Sequence, residues 1–270
     1  MITDKETKIC LSIAEKPGNF GAKFHNKGYK ILGLNQVYIP RKIESSQLKT
    51  VLEAVRVLNI RGCSVSMPHK IEVIKYLDSV DEFAEKIGAI NTIVRQDDGS
   101  LKGYNTDFYG AKRAIEDSVS IKDKDILLIG AGGVAKAIGF AVKELQGKLT
   151  ITNKTIEKAE KLAKKLDAEV LSWDELKNSS GFMLINATSV GMNNSDESIV
   201  DKSVIASFKV IMDVVIYPSE TKLLRDSKEL GNNTIPGTLM CVYQAAEQFK
   251  LYSDHEAPKE LIEETLKDMT

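Results

Sequence analysis

The stretch Asp125-Ile126-Leu127-Leu128-Ile129-Gly130-Ala131-Gly132-Gly133-Val134-Ala135 decides the fold. Four consecutive large aliphatic residues read as a buried strand, and the pattern G-x-G-x-x-A follows at once and opens a helix. Each position has a physical reason. Gly130 permits the tight turn, Gly132 lets the backbone approach a pyrophosphate, and Ala135 allows close packing of helix on strand. The helix start adds unpaired N–H groups and a partial positive charge that suit phosphates. Glycine-rich turns also occur without ligands, so the strand before and the helix after carry the reading.

Outward toward the C-terminus, strands are predicted at 149–152, 169–171, 183–186, 210–214 and 234–235, with helices at 133–145, 155–166 and 220–229. Strand, helix and strand in repetition predict a parallel, doubly wound sheet. The end of the second strand selects the nucleotide. An NAD site carries Asp or Glu there, about 20 residues after the glycines, to hold the ribose 2′-OH. This chain has Thr152-Asn153-Lys154-Thr155, and Lys158 one turn later. A carboxylate would repel a 2′-phosphate; Lys154 and Lys158 attract one. The expected cofactor is NADP(H).

Toward the N-terminus the chain also alternates. A strand is predicted at 9–14, and an amphipathic helix at 46–59 with Leu48, Val51, Leu52, Val55 and Leu58 on one face. A strand at 62–66 leads to Pro68, which suits the first turn of a helix carrying Ile71, Ile74 and Leu77. Strands at 90–95 and 101–104 pair across Asp97-Asp98-Gly99, and Phe108, Ala111 and Ile115 mark the next helix. Beyond Gly237 the chain is helical with no strand partner. Those last helices are expected to return and pack on the first region.

Composition bounds the function. The 270 residues suffice for one large domain or two ordinary ones, and 43% hydrophobic residues give them a core. A net charge of −1 argues against a nucleic-acid surface. Lys161, Lys164 and Lys165 read as a solvated helix face. Neither a signal peptide nor a membrane span is legible, so a cytoplasmic protein is expected. Cys10, Cys63 and Cys241 read as buried free thiols. The three scattered histidines offer no metal site.

Two polar clusters mark the first region: Ser64-Val65-Ser66-Met67-Pro68-His69-Lys70, and Asn91-Thr92 with Gly103-Tyr104-Asn105-Thr106-Asp107. A Lys and an Asp in one cleft can share a proton with a substrate hydroxyl while hydride moves to or from a nicotinamide. Spacing alone favours a solvated Lys70 and an Asp107 that merely caps the following helix.

The sequence resembles the shikimate dehydrogenase family along nearly its whole length. The resemblance is carried, in order, by residues 64–70, Gly88-Ala89-Ile90-Asn91-Thr92, Tyr104-Asn105-Thr106-Asp107, Gly130 to Ala135, Asn153-Lys154-Thr155, residues 186–192 and Gln244-Ala245-Ala246. It implies an α/β fold, with a substrate domain built from both chain ends (1–106 and 238–270) and an inserted doubly wound Rossmann domain (107–237). It implies Lys70 and Asp107 as the catalytic pair, with Asn19, Ser66, Asn91 and Gln244 toward the substrate. Toward NADP it implies the glycine turn, Asn153, Lys154, Thr155 and Lys158, together with Thr188, Ser189 and Gly237. A role in aromatic amino-acid biosynthesis and a monomer or homodimer also follow from the family.

The departures are specific. The family's Ser-x-Ser-Pro, whose serines grip the substrate carboxylate, is replaced by Asn19-Phe20-Gly21-Ala22 ahead of His25-Asn26; Ser12 lies too far upstream to stand for either serine. Ile216 stands for the Tyr of Asp-x-x-Tyr-x-Pro, and Lys154 and Lys158 stand where arginines are common. Arg would stack on adenine and grip phosphate bidentately, which Lys does not reproduce. The chain most resembles the divergent shikimate dehydrogenase-like branch.

The expected activity is reversible hydride transfer on a small cyclic polyhydroxy acid. Shikimate/3-dehydroshikimate is the default pair, weakly turned over, and quinate or an amino-shikimate the alternative. Serines at 19 and 21 are expected to restore some shikimate activity. A non-catalytic nucleotide sensor is the rival reading, and retention of both Lys70 and Asp107 argues against it.

Overall fold

A computed structural model describes residues 3–193 and 196–269. The chain divides into two compact units. The first holds residues up to Thr106 together with Gln244–Thr265; the second holds Asp107–Tyr243 and the chain end from Leu266.

In the first unit the elements run β1 (Lys8–Ala14), α1 (Phe20–Ile31), β2 (Gln36–Lys42), α2 (Leu48–Val57), β3 (Gly62–Val65), β4 (Ser79–Val80), α3 (Glu82–Ile87), β5 (Thr92–Arg95) and β6 (Leu101–Tyr104). They form a six-stranded sheet in the order β2-β1-β3-β5-β6-β4. β1 pairs in parallel with β2 and β3, whereas β3–β5 and β5–β6 are antiparallel. The face of α2 predicted from its periodicity is the buried one, through Leu48, Leu52 and Val55. Each such side chain contributes roughly 1.5–3 kcal/mol of burial.

Two elements escape the sequence pattern for opposite reasons. β2 contains Pro40 and ends in Arg41-Lys42, an unpromising strand composition, yet it lies at the sheet edge, where proline is tolerated. α1 carries Gly21 and Gly28 and has no side-chain cap, so its propensity is poor. Tertiary packing requires the glycine: a Cβ on Gly28 would stand 2.5 Å from Phe249 and 2.8 Å from Leu261.

The helix expected to start at Pro68 does not form as such. The Met67–Pro68 peptide is cis, and the only helical piece there is a five-residue 3-10 turn, Glu72–Tyr76. Val73 is its buried residue, whereas Ile71 is 64% exposed.

The second unit contains α4 (Thr106–Ser118), β7 (Asp125–Ile129), α5 (Gly133–Glu144), β8 (Lys148–Thr152), α6 (Ile156–Leu166), β9 (Glu169–Val170), β10 (Met183–Asn186), α7 (Lys202–Ile205), β11 (Val210–Asp213), α8 (Lys222–Glu229) and β12 (Asn233–Pro236). Its sheet is parallel throughout, in the order β12-β11-β10-β7-β8-β9. Numbered within the unit, that is the 6-5-4-1-2-3 order of a doubly wound dinucleotide fold. The strand order reverses between β7 and β10, so the turns that leave these two strands open at the switch point where such sheets bind ligands.

The chain closes with α9 (Gly237–Ser253) and α10 (Lys259–Met269). Their later residues belong to the first unit, where Phe249 and Tyr252 are fully buried and Arg61 donates to the Tyr252 carbonyl at 3.2 Å. Of these helices, Gln244–Thr265 is the part grouped with the first unit. Cys10 and Cys63 are buried free thiols as expected, but Cys241 is only half-buried. Among the described residues no helix is long and apolar enough to cross a membrane.

Candidate functional site

The glycine turn follows β7 directly. Gly130 has φ +120°, in the region that favours glycine, and its missing Cβ would stand 2.8 Å from the Ala187 carbonyl oxygen at the end of β10. Gly132 caps α5, and nothing lies within 4 Å of the place its Cβ would take. Ala135, in the first turn of α5, is fully buried. The first glycine is thus fixed by protein packing, and the second faces open space.

That space is a cavity of about 620 Å³ within the second unit. Ala131 and Gly132 line it, as do Asn153, Lys154, Thr155 and Lys158 after β8, and Thr188 and Ser189 after β10. Lys136, Lys161 and Lys165 join them, so five lysines face the cavity with no Asp or Glu in its lining. Among the described residues none of the five has a carboxylate partner within ion-pair distance. Burial holds the Lys136 ammonium below the usual lysine range, with a further push from Lys165 and Lys161. The helix face read as merely solvated therefore turns two of its three lysines, Lys161 and Lys165, to this cavity. Trp173, which sequence reasoning passed over, also lines it, with the Lys154 ammonium 5.6 Å from its ring centroid.

The ends of β10 and β11 are held by a buried polar network. Asn186 Nδ2 donates to Asp213 Oδ1 at 3.0 Å, Thr221 Oγ1 donates to Asp213 Oδ2 at 2.6 Å, and the Val215 N–H donates to Asp213 Oδ1 at 3.1 Å. Burial pushes the Asp213 carboxyl up to about 6, against the pull of these three donors. Asn186 Oδ1 in turn accepts from the Thr188 N–H at 3.1 Å and from Thr188 Oγ1 at 2.7 Å, which fixes the turn that presents Thr188 and Ser189. Gly237 does not line the cavity. It sits where a Cβ would meet the Val215 carbonyl oxygen at 2.5 Å.

The first unit holds a separate, smaller cavity of about 180 Å³. Ser66 and Gln244 line it, but Asn19 and Asn91 do not. Asn19 is exposed at the start of α1 and makes no side-chain capping bond. Asn91 is buried, and its Oδ1 accepts from Thr92 Oγ1 at 2.8 Å, the Thr106 N–H at 2.8 Å and Thr106 Oγ1 at 3.1 Å. Gln244 Nε2 donates to Thr106 Oγ1 at 2.8 Å. The Lys70 carbonyl accepts from the Ile90 N–H at 2.7 Å, one residue before Asn91. Ile90 thus holds the Lys70 backbone, and the next residue, Asn91, holds Thr106, the chain neighbour of Asp107. Lys70 and Asp107 are both half-buried.

Several residues that sequence reasoning missed line this cavity: Ser12, Lys16, Tyr38, Ser64 and Gln248. Ser12, set aside for its distance in sequence, faces the cavity from β1. Tyr38 is stacked on His25 with ring centroids 4.4 Å apart, and Asn26 holds its backbone by two bonds of 2.9 and 2.8 Å. Burial pushes the Tyr38 phenol up to about 12 and the His25 imidazole down to about 3, so both are neutral near pH 7. A Cβ on Gly21 would stand 3.0 Å from Tyr38 Oη, and Tyr38 is 3% exposed. Tyr38 thus crowds the place of a clamp serine, against the expectation that serine there simply restores a grip.

Comparison with known proteins agrees with these features. A family model described as the shikimate dehydrogenase substrate binding domain matches residues 20–93. One for shikimate / quinate 5-dehydrogenase matches 111–211, and one for the shikimate 5'-dehydrogenase C-terminal domain matches 237–267. The shikimate dehydrogenase (NADP(+)) of Methanocaldococcus jannaschii is 39% identical over 281 residues, covering 99% of each chain. The structure of a shikimate 5-dehydrogenase-like protein superposes with a TM-score of 0.92 at 34% identity, covering 99% of both chains. A shikimate dehydrogenase solved in complex with NADP+ gives 0.90 at 35% identity, covering 99% of this chain and 97% of that one. With this identity over nearly its full length, the chain belongs to the shikimate dehydrogenase family.

Proposed function

We propose that the protein is an NADP(H)-dependent oxidoreductase of the shikimate dehydrogenase type, interconverting a secondary alcohol and a ketone on a small cyclic polyhydroxy acid. The observation that carries the reading is the cavity at the switch point of the parallel sheet, with five lysines and no carboxylate in its lining. The residues there suit the cofactor. Gly132 leaves room for a pyrophosphate against the backbone, and Lys154 and Lys158 stand where a 2′-phosphate is expected. When bound, NADP(H) supplies or accepts the hydride.

The chain's own residues handle the proton and the substrate. Lys70 Nζ takes the proton of the substrate hydroxyl as it becomes a ketone and returns it in the reverse direction, with Asp107 as the second residue of the catalytic pair that the family implies. Ser66 and Gln244 bind substrate hydroxyls. Gln244 is preset, because its amide nitrogen is already engaged by Thr106 and its carbonyl remains to accept.

At the carboxylate end the chain departs from the family, since Gly21 has no side chain and Tyr38 fills the space beside it. Shikimate is expected to be a poor substrate, chiefly through a high KM. The test is a panel of shikimate, quinate and amino-shikimate with NADP+ reduction as the readout. Weak shikimate turnover or a better relative in the panel supports the reading. Robust shikimate oxidation with KM in the low micromolar range would show that the altered clamp does not matter.

A further inference from the structure

We propose that Trp173 is the platform for the adenine ring of the cofactor, taking over the stacking role for which Lys154 is unsuited. The assignment rests on the cofactor reading above. Three observations lead to it. Trp173 lines the lysine-rich cavity together with Asn153, Lys154 and Thr155, the segment that ends β8, where the adenosine half of a dinucleotide lies in this fold. Its indole is anchored by packing against the core cluster that includes Leu176, Val200 and Ile205. The backbone at its base is fixed as well, because Ser172 and Glu175 form a reciprocal capping box around the 3-10 turn Trp173–Asn178. A half-buried indole with a fixed backbone and one face toward a cavity is a rigid stacking surface.

Charge fits the same picture. The Lys154 ammonium lies over that face, 5.6 Å from the ring centroid, in an exchangeable cation–π contact. An adenine entering the cavity takes the indole face, and Lys154 shifts to the 2′-phosphate beside it. Val190 and Ile199, the apolar side chains that line the cavity with Trp173 and Leu162, suit a flat heteroaromatic base better than a phosphate. The flexible ammonium groups would then serve the phosphates, and the indole would serve the base.

The chain has a single tryptophan, so its intrinsic emission reports on Trp173 without ambiguity. Pure protein is titrated with NADP+, with 2′,5′-ADP, which keeps only the adenine and 2′-phosphate end, and with nicotinamide mononucleotide. Calorimetry runs in parallel. Saturable quenching by NADP+ and by 2′,5′-ADP, at the concentrations where calorimetry shows binding, is expected; nicotinamide mononucleotide leaves emission unchanged. Trp173→Leu weakens 2′,5′-ADP by about tenfold or more, as loss of base–aromatic stacking does, while Trp173→Phe keeps most of the affinity. Binding of 2′,5′-ADP with no change in emission overturns the assignment, and so does unchanged affinity in Trp173→Leu. The wild-type quenching experiment decides the matter if the leucine variant fails to fold. Absence of any calorimetric NADP+ binding overturns the cofactor reading itself, and this assignment with it.

Discussion

Two cavities of this protein differ in the charge they present. The one in the second unit is about 620 Å³ and faces five lysines. The one in the first is about 180 Å³ and is lined by hydroxyls, amides, Tyr38 and one exposed lysine, Lys16. The first kind of site recognises a ligand by charge and the second by shape and hydrogen bonds. Charge recognition tolerates exchange of Arg for Lys, since several flexible ammonium groups can share one phosphate. Recognition by neutral donors does not tolerate exchange, because each hydroxyl has one place. The lysine-rich cavity therefore keeps its ligand class although its arginines are gone. The hydroxyl-lined cavity is expected to change preference where Gly21, crowded by Tyr38, stands in place of a serine.

The sharpest way to break this comparison is to remove the residue proposed to transfer the proton while leaving both cavities intact. Lys70→Ala should lower turnover by about a hundred- to ten-thousand-fold, the usual span for a lost general acid–base. Its NADP+ affinity, read by calorimetry, should stay near that of the wild type, because Lys70 lies outside the lysine-rich cavity. Asp107→Asn should lose turnover as well, and the double variant should lose less than the product of the two, as for residues acting as a unit. Near wild-type turnover in Lys70→Ala on the best substrate of the panel would remove it from the mechanism.

A smaller effect should separate the two nucleotides. The double variant Lys154→Ala, Lys158→Ala should weaken NADP+ by about tenfold to several hundredfold, since each charge-assisted phosphate contact is worth on the order of 1.5–3 kcal/mol at best and salt screens it. NAD+ binding should hardly change, and raising salt should weaken NADP+ binding more in the wild type than in the variant. Equal or tighter binding of NAD+ than NADP+ by the wild-type protein would remove charge as the selector.

How much of this was legible in the sequence follows from how local each feature is. The strand, turn and helix of the dinucleotide site occupy eleven consecutive residues, 125–135, so pattern alone placed them. The hydroxyl-lined cavity draws Ser12, Tyr38, Ser64 and the pair Gln244 and Gln248 from four separated segments, and no local pattern joins the four. Ser12 looked too remote because the sequence hides that β1 and β2 pair in register, which sets Ser12 opposite Pro40, two residues from Tyr38. Lys161 and Lys165 looked solvated because only the packing of α6 beside α5 reveals which face meets the glycine turn. Asn91 was assigned to substrate from the family pattern, and the structure adds a job the pattern does not display: its Oδ1 holds the Thr106 backbone.

The polar interior of the second unit gives a test by pH. Asp213 is fully buried and its carboxyl is pushed up to about 6 from an ordinary value of 3.8. An acid whose folded-state value is raised contributes its stability fully below about pH 4 and loses it as pH rises through about 6. A shift of this size corresponds to about 2–3 kcal/mol. Asp213→Asn keeps an oxygen for the Asn186 and Val215 donors and offers an N–H toward Thr221, so it should not show that loss. In urea denaturation between pH 4 and 7, the variant should gain on the wild type steadily as pH rises. A constant difference over that range would mean that Asp213 does not titrate in it.

The smallest expected effect bears most directly on the substrate. Gly21→Ser would place a Cβ 3.0 Å from Tyr38 Oη, 3.1 Å from Cε1 and 3.2 Å from Cζ. The added group is tolerated only if the phenol ring gives by a few tenths of an ångström. The ring has little room: it is stacked on His25, tied to Asn26 through its backbone, and 3% exposed. Gly21→Ser alone should therefore cost about 1–2 kcal/mol of stability, as overpacking does, and leave the KM for shikimate high. Combining it with Tyr38→Phe removes the hydroxyl that makes the shortest of the three contacts and frees Ser12 and Ser64 from their phenol neighbour. In that double variant stability should recover in part and the KM for shikimate should fall. A lower KM in Gly21→Ser with Tyr38 intact would mean that the ring moves aside freely, and the first unit would then differ from its relatives by one missing hydroxyl rather than by a repacked cavity.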